Sequence, residues 1–255
     1  MKLYHGTSER VARLALQNGL VPRSESGVSS LWEDHPSSPN HIYLTTAYAG
    51  YFAMNATTEG ERWAIIEIDT DLLPDLDALV PDEDFLEQAT RQQKLPQGLA
   101  LVGVTSMKDR TEWFRESLGD FAHLWEDSIS ALGNCAHEGV IPPEAITRVS
   151  FVDPEGNPSM ALMASDPEIS LMNYRFCADK YRALINWFMG DEVDASAFSF
   201  GKYPVIPEGT VLALPPELQR QIRHQQGANS RVQAALADRT GVEVLKNEGI
   251  NRVQK

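Results

Sequence analysis

An α+β fold is predicted, with a strand-bearing core over residues 1–158 and an appended, mainly helical C-terminal part over 159–255. Three observations predict it. Short apolar runs at Leu3-Tyr4-His5, Ile42-Tyr43-Leu44 and Trp63–Asp69 alternate with amphipathic segments. Two more runs, Cys135–His137 and Ile146–Val152, flank a Gly-Val-Ile-Pro-Pro turn. Beyond the turn cluster Asp153–Pro158, apolar residues recur at helical spacing, which sets a boundary there.

Taken in order, Leu3-Tyr4-His5 is a short strand delivering a histidine into a Gly6-Thr7-Ser8 turn. Ser8 then caps a helix in which Val11, Leu14 and Ala15 share a face, and Gly19 supplies its left-handed stop. Arg23–Asn40 is a serine-rich polar loop. After the Ile42–Leu44 strand, Ala47–Ala56 is helical, with Tyr48, Tyr51 and Phe52 at helical spacing. Trp63–Asp69 is almost continuously apolar and therefore interior to a sheet. Pro74–Lys94, centred on Pro81-Asp82-Glu83-Asp84, reads as a solvated acidic excursion. Asp109–Leu132 is helical, broken near Gly119, and Trp113, Trp125 and Trp187 are expected in cores. Pro167–Gly190 is a helix, Phe198–Leu214 is irregular, and Leu218–Ala237 is a helix interrupted at Gly227.

The chain carries a net charge of −14 over 255 residues. From Glu217 to Lys255 there are seven Lys/Arg against four Asp/Glu, a surplus of +3, so the first 216 residues hold about −17. Such a body repels phosphate backbones except through a local patch, of which the C-terminal arginines Arg220, Arg223, Arg231 and Arg239 are the candidate. Two distant cysteines, Cys135 and Cys177, give no disulfide scaffold, and no signal or membrane-spanning run is legible, so a cytoplasmic protein without membrane contact is expected. Six histidines include no HExxH and no i, i+4 pair, so no metal site is expected. Nucleophile elbows, Walker loops and G-x-G-x-x-G turns do not occur.

Tyr4-His5-Gly6-Thr7-Ser8, the helix ending Asn18-Gly19-Leu20, and His41-Ile42-Tyr43-Leu44-Thr45 together resemble the ADP-ribosyltransferase superfamily, in its diphtheria-toxin and poly-ADP-ribose-polymerase-like branch with a His-Tyr-Glu triad. Ala64–Ile68 and Glu138–Ile146 extend the resemblance over roughly residues 1–152. It implies a split antiparallel sheet holding NAD in a cleft, with NAD as substrate and no metal. His5 would bond a ribose hydroxyl, Gly6 the nicotinamide amide, and Thr7 a further ribose position. Tyr43 would stack on the nicotinamide ring, and Tyr51 would form the opposite wall. The third member falls on Asn134 when counted back from Ile141-Pro142, while the nearest carboxylate is Glu138; either fills the position.

The implied activity is transfer of ADP-ribose to a macromolecular acceptor, nucleic acid or protein, with nicotinamide release. Proteins of this kind act as toxins or in antiviral defence, with the C-terminal part binding the acceptor or a neutralising partner protein. Two other readings stay open. One is a non-catalytic NAD- or nucleotide-binding module, motivated by Asn134. The other is an RNA 2′-phosphotransferase, which would depend on arginines such as Arg13 or Arg23.

Overall fold

The structure, a computed structural model, describes residues 1–27, 37–92, 106–153, 178–193, 208–237, 239 and 241–247. Seven antiparallel strands form one sheet in the order β4-β5-β2-β1-β3-β6-β7. They are β1 (Lys2–Ser8), β2 (His41–Thr45), β3 (Trp63–Asp69), β4 (Leu79–Pro81), β5 (Asn134–Glu138), β6 (Ile146–Val152) and β7 (Val242–Lys246). Nine α-helices are present among the described residues: α1 (Glu9–Asn18), α2 (Arg23–Ser26), α3 (Ala49–Ala56), α4 (Glu83–Arg91), α5 (Met107–Glu116), α6 (Trp125–Leu132), α7 (Ala178–Phe188), α8 (Glu208–Leu212) and α9 (Pro216–Ala237).

Alternation along the strands sorts the side chains into two faces. Leu3, Ile42, Leu44, Ala64, Ile66, Cys135 and Phe151 line one face, beneath Ala12 and Ala15 of α1. The opposite face carries two separate clusters. Tyr4, Trp63 and Ile65 pack under α3 and against Trp187 and Phe188 of α7. Val80 and Ala136 pack with Leu86 of α4, Phe114 of α5, and Leu118 and Phe121 of a following 3-10 turn. The line between these clusters runs over the junction of β1 and β2.

That junction is thin. Strand β1 pairs with β3 at seven positions, from Lys2↔Asp69 to Ser8↔Trp63. It pairs with β2 at one, Tyr4↔Thr45. From His5 onward the two strands part, and the sheet is split there.

Helix α1 forms as its sequence dictates. The Ser8 hydroxyl accepts from the Val11 N–H, and Gly19 ends the helix at φ 85°. At its first turn the Glu9 carboxylate accepts from Arg62 (Nη2, 2.7 Å) and Arg13 (Nε, 2.8 Å). The Arg62 hydrogen bonds, aided by Arg13, hold the Glu9 carboxyl at about 2, below its ordinary 4.5. A lowered native pKa gives stability that is present above pH 4.5 and lost as pH falls through about 2. Thermal melts of wild type and Glu9→Gln are therefore expected to differ at neutral pH and to converge across that window.

Several expectations need correction, among them the polar loop, which opens with the short helix Arg23–Ser26, and the stretch expected to be irregular, which holds the helix Glu208–Leu212. Gly6-Thr7-Ser8 is not a turn: all three residues are in β1, paired with Ile65, Ala64 and Trp63. The described part of Pro74–Lys94, up to Gln92, is not a solvated excursion, because it supplies edge strand β4 and helix α4, with Asp82, Glu83 and Glu87 buried. The density of acids obscured the apolar positions Leu79, Val80, Leu86 and Ala89 that fold this segment onto the sheet. Helix α9 runs through Gly227 without interruption. Trp113 is 37% exposed rather than a core residue, whereas Trp187 is buried.

Described segments of the C-terminal part pack on the core. Strand β7 pairs with β6 at five positions, from Arg148↔Lys246 to Val152↔Val242. Phe188 meets Trp63 edge-on, with ring centroids 5.8 Å apart. The boundary at 158, Cys177, and the expected helical turns from Pro167 to Cys177 lie outside the described residues. Among the described residues no helix is long and apolar enough to cross a membrane.

Candidate active site

His5 is the first residue of β1 past the single β1–β2 pairing. Its ring is half-buried and crosses the split, with Nδ1 2.9 Å from the Tyr43 carbonyl oxygen. A carbonyl only accepts, so Nδ1 carries the proton and Nε2 presents a lone pair. Burial lowers the His5 pKa, which keeps the ring neutral, although the Tyr43 carbonyl acts in the opposite direction. A neutral imidazole with a lone pair on Nε2 suits a hydroxyl donor.

Gly6 follows, on the opposite face from His5 by alternation. A methyl group there would sit 1.9 Å from the Ala49 carbonyl oxygen and 2.5 Å from the Ala53 nitrogen. The glycine is therefore required by the backbone of α3, which lies directly on β1. What Gly6 offers a ligand is its main-chain edge toward β2, where the ladder has ended. Thr7 alternates with Gly6, is buried, and pairs with Ala64, on the face covered by α1.

Tyr43 lies on the same face as Gly6. Its ring packs beside the cluster of Val80, Leu86 and Phe114. Its hydroxyl donates to the Glu83 carboxylate, 2.8 and 2.7 Å from the two oxygens, and accepts from the Ser38 N–H at 2.9 Å. Burial, then the Glu83 charge, pushes the Tyr43 phenol well up. Burial also pushes the Glu83 carboxyl up, and the Tyr43 hydroxyl offsets part of that. Tyr51 is half-buried on α3, edge-on to Phe52 and packed with the cluster around Trp63 and Trp187.

The two candidates for the third position lie at opposite ends of β5. Asn134 pairs with Thr45, in the row that holds the closed end of the split. Its carbonyl accepts from the Ser128 hydroxyl, and its side-chain Oδ1 is buried without a hydrogen-bond partner. Glu138 pairs with His41 at the open end, about 13 Å along the strand from Asn134. It is exposed and lines a groove of about 600 Å³ with His41, Arg115 and Asp120. Alternation puts both on the face that carries Tyr43 and Ala136. His5 and Gly6 of β1 and Tyr43 of β2 thus border one split, with His5 and Thr7 on the face of α1 and Gly6 and Tyr43 on the other, while Tyr51 packs with the Trp63 cluster and Asn134 and Glu138 do not come to one point.

Sequence reasoning missed Glu83. It stands one residue after Asp82, whose carboxylate caps α4 by accepting from the Asp84 N–H at 2.8 Å. Pro-Asp ahead of Phe85-Leu86 is a helix-start signal, and it was the trace available in the chain. Ser38 and Arg115 join the same cluster, Arg115 with its Nε 3.7 Å from Glu83 Oε1.

No group of three or more His, Cys, Asp or Glu side chains among the described residues could hold a metal ion. Compared with known protein families, curated proteins and solved structures, the chain matches none.

Proposed function

We propose that this protein is an NAD-dependent ADP-ribosyltransferase, moving ADP-ribose to a macromolecular acceptor and releasing nicotinamide. The observation that carries the proposal is the split between β1 and β2, crossed by the His5 ring and flanked on one face by Tyr43 and α3. Such a split exposes main-chain edges beside the Tyr43 ring, an arrangement suited to a flat aromatic amide and a ribose. His5 Nε2 would accept from a ribose hydroxyl, the Gly6 edge would pair with the nicotinamide amide, and Tyr43 and Tyr51 would wall the ring.

Departure of nicotinamide builds positive charge on the ribose, and an anionic or polar group beside it lowers the barrier. Asn134 can hydrogen-bond the sugar but cannot take a proton, and loss of general-base help typically costs about 10²–10⁴ in rate. This observation favours the second reading, an NAD-binding module without turnover. The 2′-phosphotransferase reading is less well supported: Arg13 is engaged by Glu9 and lies over Phe151, and Arg23 bonds Ser37.

Incubating the purified chain with labelled NAD and a cell lysate tests the proposal. Nicotinamide release with label that protease or nuclease removes supports transfer and names the acceptor class. NAD binding without release or label would establish the binding module instead.

A further inference from the structure

We infer that Glu83 is a positioning residue of this site, holding the Tyr43 ring at the split; the inference rests on the NAD-site reading above. Sequence reasoning sought an acid on β5. The carboxylate that the fold puts in contact with a residue of the split comes instead from the start of α4.

The geometry leaves the Tyr43 hydroxyl little freedom. Both Glu83 oxygens are within 2.8 Å of it, and the Ser38 N–H meets it at 2.9 Å from another side. A tyrosine ring with its tip held on two sides cannot swing about its first side-chain torsion, so it keeps one rotamer beside the split. The Glu83 side chain is itself only 8% exposed, with Arg115 at 3.7 Å as its cationic neighbour. An ionisable group this desolvated is costly to keep without a compensating interaction. The fold also sets Glu83 in place from behind. The Asp82 N–H donates to the Ser128 hydroxyl at 3.0 Å, and that hydroxyl donates to the Asn134 carbonyl at 2.8 Å. The start of α4 is thereby tied to β5, and through β5 to β2, which carries Tyr43.

Positioning and mere structural support make different predictions for conservative variants. Glutamine keeps an oxygen that accepts from the Tyr43 hydroxyl, so Glu83→Gln should hold the ring, whereas Glu83→Ala and Tyr43→Phe should release it. The test measures the χ1 rotamer populations of Tyr43 by NMR couplings in the free protein and the KM for NAD in nicotinamide release, or its Kd if turnover is absent. A single χ1 rotamer is expected in wild type and Glu83→Gln, and averaging over more than one in Glu83→Ala. The KM or Kd should rise about tenfold in Glu83→Ala and Tyr43→Phe, by no more in the double variant, and by less than threefold in Glu83→Gln, with kcat little changed. Equal NAD affinity in wild type and Glu83→Ala would overturn the inference while leaving the NAD-site reading intact. Wild type that fails to bind NAD at all would overturn both. Thermal melts of each variant separate these effects from unfolding.

Discussion

Replacing Gly6 with alanine is expected to lower stability by about 3 kcal/mol, at the upper end for adding one methyl group to a packed interior. The added carbon would lie 1.9 Å from the Ala49 carbonyl oxygen, 2.5 Å from the Ala53 nitrogen and 2.9 Å from the Ala49 carbonyl carbon. All three are backbone atoms of α3, so no rotamer change relieves the overlap and the helix itself must move. Ala49 and Ala53 are fully buried between the helix and the sheet, which shows how closely the two pack. For a chain of this size, a loss of about 3 kcal/mol corresponds to roughly 6–12 °C in Tm. Because α3 also carries Tyr51, ligand affinity should fall along with stability. Calorimetric melting checks the first effect. A Tm within about 2 °C of wild type, well below that range, would mean that α3 does not sit on β1 as described.

Removing the Glu67 carboxylate should cost a similar amount, by a different route. Glu67 is 2% exposed, on β3 beside β6. It accepts from Arg148 Nε at 3.0 Å and from the Thr147 hydroxyl. Arg148 reaches on to Asp191 at 2.7 Å and to the Met189 carbonyl at 3.1 Å, tying the end of α7 to the sheet. Asp191, then Glu67, raises the Arg148 pKa, so the guanidinium stays charged in every condition that preserves the fold. Breaking a buried pair by deleting one member typically costs about 3–5 kcal/mol, and the retained Asp191 contact places Glu67→Ala at about 3 kcal/mol. Replacing both Glu67 and Arg148 with methionine should be less harmful than Glu67→Ala alone, because the single variant takes the Glu67 partner from a part-buried guanidinium while the double variant leaves only Asp191, whose side chain is 45% exposed. Urea denaturation of the single and double variants measures this coupling.

Much of the sheet was legible because strand alternation is a local property. Trp63–Asp69 carried enough apolar residues to mark an interior strand, and Ser8 with Gly19 bracketed α1 by cap chemistry that acts within a turn of each end. Strand β7 was not legible. Val242–Lys246 sits in a basic tail, its partner β6 lies far earlier in the chain, and the Val242-Glu243-Val244 alternation is too short to announce the pairing. The same distinction governs the site. His5 and Tyr43 could be picked out as residues on adjacent short strands, but the bond between the His5 ring and the Tyr43 carbonyl depends on how those strands diverge. Glu83 was hidden for a further reason. A carboxylate in an acidic run is ordinarily solvated, and only the folding of α4 over Tyr43 takes it out of water. The reach for Asn134 or Glu138 followed the order of motifs along the chain, which does not record that the two lie at opposite ends of β5.

The proposal stands on the split at β1–β2 and on the imidazole that crosses it. Titration calorimetry of NAD into the full chain, repeated with His5→Ala, measures that claim most directly. Binding by wild type, weakened tenfold or more in His5→Ala at unchanged Tm, is the result expected. NAD binding that is absent from wild type, or equally tight in both proteins, would contradict it.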